Sequence, residues 1–124
     1  MVIGLRKSFR LKAVTFTNDE LILVMVSLVR ATHPSMLRQE ADGFTVDFEI
    51  LGRKKVLNDD ERLLFKVRAV LESAVDGPSR VLQLEASECR RIAATMAQLQ
   101  RLQPWPADVL AMCRAVHARL AAPV

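Results

Sequence analysis

Three side chains in the C-terminal third could hold a soft metal. Cys113 and His117 are four residues apart, one turn along the same helical face, and Cys89 lies on the preceding helical segment. Thiolate and imidazole are the donors that tetrahedral zinc takes. The wider pattern argues against a site, because there is no close-spaced cysteine pair and Cys113 shares an apolar stripe with Val109, Val116 and Leu120. A free cysteine in such a stripe behaves as a small buried hydrophobe. No metal and no cofactor is expected, and the two thiols fit a reducing compartment better than a disulfide framework.

Paired carboxylates are the next candidates, since acid–base catalysis needs little more than a positioned pair. Asp19, Glu20, Asp59, Asp60, Glu61, Glu85, Glu88 and Asp108 all fall at or in the first turns expected of helices, where acids complement the macrodipole. These are eight of the 14 acidic residues, and no pair is left that needs a catalytic explanation. Glycine occurs only at positions 4, 43, 52 and 77, so there is no phosphate-cradling loop, and no serine sits in a glycine-flanked elbow. The chain reads as a non-enzyme.

Basic residues are left as the chemistry to weigh. Arg6, Lys7, Arg10 and Lys12 carry the whole formal charge of +4, because residues 13–124 hold equal numbers of acidic and basic side chains. A local strip, joined by Lys54 or Lys55 from a neighbouring strand, could contact nucleic-acid phosphates. The aromatic census opposes that use. Phe16, Phe44, Phe48 and Phe65 fall at positions expected to be buried, whereas an RNA-reading sheet presents stacking aromatics. Arg90, Arg91 and Arg101 on one helix do not make a recognition helix, since the segment before it is too long for a helix-turn-helix turn. Trp105, between two prolines, is either a staple at a helix junction or an anchor for a partner.

The elements that must position these groups follow from periodicity and caps. Phe9, Leu11 and Ala13 alternate with Arg10 and Lys12, which predicts a strand over 8–16 with the basic side chains on the face away from the helices. Thr17 with Glu20 has capping-box spacing and opens a helix over 18–32 that is apolar nearly all round. A loop over 33–43 ends at Asp42 and Gly43. The alternation of Phe44, Val46, Phe48 and Ile50 predicts a strand over 44–50, then a hairpin at Leu51, Gly52, Arg53 and Lys54, and a return strand over 54–57. Asn58 with Glu61 caps a second helix that stops before Asp76, Gly77 and Pro78. A strand over 80–84 and helices over 86–102 and 106–121 complete the chain.

This order predicts an α+β single domain over 1–124. Residues 1–84 form a ferredoxin-like β-α-β-β-α-β core, an antiparallel sheet with two helices on one face, and residues 85–124 form a C-terminal helical hairpin. With 124 residues and 51% hydrophobic content the chain can bury a real core. The longest apolar run, Leu21 to Val29 if Ser27 is tolerated, is well short of the ~20 residues that span a bilayer. Basic residues occupy the place of a signal peptide's apolar region, so a cytoplasmic location without membrane contact is expected.

The expected function is that of a small interaction or regulatory domain acting as a homo-oligomer through apolar helix surfaces. Ile92, Met96, Leu99, Val109, Leu110, Val116 and Leu120 contribute to that surface. The partner is then a second copy or another protein. Nucleic-acid binding through the N-terminal strand is the alternative.

Overall fold

The computed structural model describes residues 11–41, 43–73, 77–102 and 104–121. Along the chain these form β1 (Lys12–Thr17), α1 (Asn18–Thr32), a 3-10 turn (Pro34–Met36), β2 (Leu37–Glu40), β3 (Gly43–Val46) and the short α2 (Glu49–Gly52). They continue as α3 (Asp59–Glu72), β4 (Ser79–Leu84), α4 (Ala86–Leu102) and α5 (Ala107–Ala121). The fold is α+β. None of its described helices is long and apolar enough to cross a membrane.

Local chemistry sets the helix boundaries. Thr17 Oγ1 accepts the Glu20 N–H at 3.1 Å while Thr17 N–H donates to Glu20 Oε1 at 2.8 Å, a closed capping box that starts α1. Asn58 and Glu61 repeat it at the start of α3, with both bonds at 2.9 Å. At the start of α4 half of the box is present, where the Glu85 N–H donates to Glu88 Oε1 at 2.8 Å. Helix α1 ends where Pro34 can no longer extend it, with His33 N–H closing onto Val29 O at 2.7 Å.

Helix α1 is the centre of the domain. It packs against β1, α3, α4, α5 and the β2–β3 ribbon. Leu21, Val24, Met25, Val26, Leu28 and Val29 are buried on its several sides, while Ile22 is left exposed, so most of its apolar character is used within one copy of the chain. Helix α4 adds Ile92, Met96 and Leu99, and α5 adds Cys113, Val116 and Leu120, all buried in the same core. Where α1 crosses α4, the Ser27 and Thr95 hydroxyls bond to their own helices through Val24 O at 2.8 Å and Ile92 O at 2.9 Å, which satisfies two buried polar groups locally.

The strands depart from the expected single sheet. Among the described residues they form two separate antiparallel ribbons, β1 with β4 and β2 with β3, so a continuous ferredoxin-like sheet is not present. The β1–β4 ladder runs from Lys12 opposite Leu84 to Thr17 opposite Ser79. The second ribbon uses residues 37–40, which lie in the expected loop.

Only the first half of the expected 44–50 strand forms. The Asp47 carboxylate accepts the Glu49 N–H at 2.9 Å and turns the chain into α2, so Ile50 and Leu51 are helical. Gly52 then has no positive φ, and neither the hairpin at 51–54 nor the return strand at 54–57 exists. The turn glycine is Gly43, at φ 153°, directly after the β2–β3 turn.

The phase of β1 also differs. Val14 and Phe16 face the core and Leu11 and Ala13 face out, which places Lys12 on the inward face. Alternation through Leu11 and Ala13 cannot continue into Val14 and Phe16 without changing parity, and the two bulkier side chains decide it. The Lys12 stem runs along the apolar face and its ammonium donates to Arg119 O at 2.8 Å, near the C-terminus of α5. Phe9 and Arg10 lie outside the described residues.

The parity of β1 is testable by urea unfolding. Phe16→Ala is expected to cost about 3–5 kcal/mol, as for a fully buried aromatic. Leu11→Ser is expected to stay within about 0.5 kcal/mol. A larger loss at Leu11 than at Phe16 would reverse the assignment.

Candidate functional site

The buried carboxylates are the first groups to test for chemistry. Glu20, only 4% exposed, receives Arg119 through Nη1 at 2.6 Å and Nη2 at 2.5 Å, and Arg119 Nη1 also donates to Thr15 O at 2.8 Å. The Arg119 guanidinium, working against burial, holds the Glu20 carboxyl below its ordinary value. Helix α5 is thereby fastened to the start of α1 and to β1.

Glu61, 1% exposed, takes Lys54 Nζ at 2.8 and 2.7 Å on its two oxygens, and His33 Nε2 lies 3.0 Å from Oε2. Lys54 and then the Asn58 backbone bond pull its carboxyl from 4.5 down to about 2. The other ring nitrogen of His33 is 2.8 Å from Thr32 Oγ1, so both nitrogens are engaged within the protein. Glu88 is only half-buried and receives Lys66 Nζ at 2.8 Å. Arg91 Nε sits 2.8 Å from Asp60 Oδ1 in an ion contact without hydrogen-bond alignment.

Each of the three capping glutamates is therefore bonded to a helix start and paired with a cation.

The thiols offer no reactive group. Cys89 and Cys113 are buried, and burial pushes both thiols up, away from the thiolate that nucleophilic chemistry requires. His117 is exposed whereas Cys113 is fully buried. Among the described residues no three His, Cys, Asp or Glu side chains converge as a metal site.

The basic residues singled out from the sequence do not gather into one strip among the described residues. Arg6, Lys7 and Arg10 lie outside them. Lys12 meets the end of α5, Lys54 meets Glu61 before α3, and Lys55 is exposed in the loop that replaces the expected return strand. Trp105 is half-buried against the core and its indole N–H donates to Leu99 O at 2.8 Å, which joins α4 to the start of α5.

What the sequence reading missed is the β2–β3 ribbon. An Asp-Gly pair between two short runs of β-compatible residues is a hairpin signal, and Asp42 with Gly43 supplied it. Six of the eight ribbon residues are exposed and only Leu37 and Val46 are half-buried. One face of the ribbon, with α2 and α3, borders an open groove of about 1030 Å³. Its cations are already matched with acids. Arg38 is 3.7 Å from Asp47 and Arg53 is 3.0 Å from Glu49, while Arg68 is 2.9 Å from Glu72 and stacks 4.6 Å above the Phe48 ring. Such a groove has no excess charge with which to select an anion.

No protein-family model, curated protein or solved structure matches this chain. The geometry is what a functional reading has to stand on. It separates a body whose buried carboxylates are committed internally from a ribbon most of whose residues are exposed.

The role assigned to Glu61 predicts a pH dependence. Its folded value lies below the ordinary 4.5, so its ionised form stabilises the fold above that pH, and the contribution is lost as pH falls toward about 2. Glu61→Gln is expected to lower the urea midpoint at neutral pH, with the gap to the parent chain closing as the medium is acidified through this window. A gap that stays constant across the window would show that the carboxylate does not act through its charge.

Proposed function

We propose that this chain is a non-enzymatic interaction domain that associates with a second copy of itself, and that the β2–β3 ribbon with its flanking segment is the docking element. The observation that carries the proposal is the ribbon's lack of cover. A two-stranded ribbon is marginal in water unless a surface packs on it, and here only Leu37 and Val46 touch the core. Phe44 is 42% exposed, and Ile50 and Val56, in the chain that follows, are exposed as well. Among the described residues, three of the seven exposed large apolar side chains thus fall in residues 44–56. Clustering of this kind marks a contact surface more strongly than scattered apolar residues do.

Most of the apolar side chains on the helix surfaces that the sequence offered for self-association lie in the core, with Ile22 and Leu102 left exposed. The larger group of exposed apolar side chains among the described residues is the one that follows β2. A non-enzymatic role is supported by the commitment of Glu20, Glu61, Glu88, His33 and both cysteines to structure.

Sedimentation equilibrium of the full chain tests the reading. The mass is expected to rise from 13.9 kDa toward twice that as the concentration increases from low micromolar to several hundred micromolar. Phe44→Asp is expected to hold it at the monomer without changing the urea midpoint. A monomer at every concentration would remove self-association, and a dimer indifferent to Phe44→Asp would move the contact off the ribbon.

A further inference from the structure

The two ribbons treat their edges differently. In β1–β4, a basic side chain from outside the ladder lies on a backbone carbonyl of each strand, Arg119 on Thr15 O at 2.8 Å and Lys66 on Gln83 O at 2.9 Å. Thr15 and Gln83 have the same parity in the ladder. Charged side chains seated on edge carbonyls obstruct the approach of a further strand. Among the described residues no side chain occupies the backbone of β2 in this way.

The direction of the free β2 groups follows from the ladder. Asp47 N–H donates to Met36 O at 2.8 Å, and Leu37 pairs with Val46, so Met36 directs its backbone toward β3. Antiparallel strands alternate, hence Arg38 and Glu40 also bond inward, Gln39 points its N–H and C=O outward, and Leu37 leaves only its C=O free, since its N–H donates to Pro34 O. An incoming antiparallel strand must set its own outward residues opposite these.

We infer that β2 pairs edge to edge with β2 of a second copy, with Gln39 opposite Gln39 on the two-fold axis, to make a four-stranded sheet across the dimer. This rests on the self-association proposed above and adds its site and register. Charge selects that register. Centring on Leu37 would leave the central pair without either bond, because both Leu37 N–H groups are already given to Pro34 O, so the outward groups allow symmetric pairings centred on residue 38, 39 or 40. Centring on 38 sets two arginines against each other, and centring on 40 sets two glutamates against each other. Centring on 39 places Arg38 opposite Glu40 of the second copy twice, and opposite charges stabilise a cross-strand pair where like charges destabilise it. Arg38, 70% exposed, makes only the 3.7 Å contact with Asp47 within its own copy, a weak surface pair that does not fix its side chain.

Single cysteines distinguish the three registers. Gln39→Cys brings its Cα within about 5.5 Å of its mate, inside disulfide range. Arg38→Cys and Glu40→Cys then stand about 8 Å from theirs, too far to bridge. Cys89 and Cys113 are buried and give little background. Under mild oxidation of the full chain, a reducible covalent dimer is expected for Gln39→Cys and not for the other two.

A second measurement uses charge alone. Arg38→Glu and Glu40→Arg are each expected to weaken dimerisation about tenfold or more, and the double exchange to restore it. Cross-linking at 38 or 40 instead, or a dimer unmoved by either reversal, would overturn this pairing and leave self-association standing. A chain that stays monomeric throughout would overturn both.

Discussion

A glutamate at the third position of a helix has an unpaired backbone N–H at the helix start within reach, and when it is buried its charge also needs a cation. Glu20 and Glu61, both buried, meet both demands, and Glu88, half-buried, does the same nearer the surface. Their carboxylates accept the amides of Thr17, Asn58 and Glu85, and they receive Arg119, Lys54 and Lys66. Removing a partner from such a buried carboxylate is far more costly than losing a surface ion pair, because the remaining charge stays out of water. The rest of the arrangement hangs on this. Arg119 docks α5 on β1 and α1, Lys54 and His33 close the loop and the end of α1 onto α3, and Lys66 ties α3 to α4 and β4.

This explains why some elements were legible and others were not. Capping boxes are local, so Thr17 with Glu20 and Asn58 with Glu61 located α1 and α3 from the sequence, while the breakers around residues 76–78 closed α3 and those around 104–106 parted α4 from α5. The cations that complete those caps were not legible. Lys12 reaches the carbonyl of a residue 107 positions away, and Arg119 reaches a carboxylate 99 positions away. A lysine on an alternating strand reads as solvated until the helix end that it serves is in view.

The strand errors have a common cause. Period-two alternation names two faces without saying which is inside or where the strand stops. In β1 both parities carry apolar residues, and the bulk of Val14 and Phe16 outweighs Leu11 and Ala13. In the 44–50 segment the alternation is regular, yet the Asp47 side chain offers Glu49 N–H a nearer acceptor than any neighbouring strand. Phe48 then leaves the strand pattern to pack against Phe65, with ring centres 5.4 Å apart, beneath Arg68. A short polar side chain that competes for the backbone can end a strand that hydropathy alone would continue.

Division into two ribbons has a consequence that one sheet would not have. A single four-stranded sheet buries its inner strands' backbones within itself and has two edges to manage. Two ribbons expose four. The β1–β4 ribbon carries Val14, Phe16, Leu82 and Leu84 into the core, and a strand added there would compete with the contacts that dock α5 and α3. Its cation-bearing edges fit that need. The β2–β3 ribbon holds little of the core, so adding a strand to it disturbs nothing that the fold requires. An uncovered edge at that place is compatible with a stable monomer, and it supplies main-chain groups to which a further strand can bond.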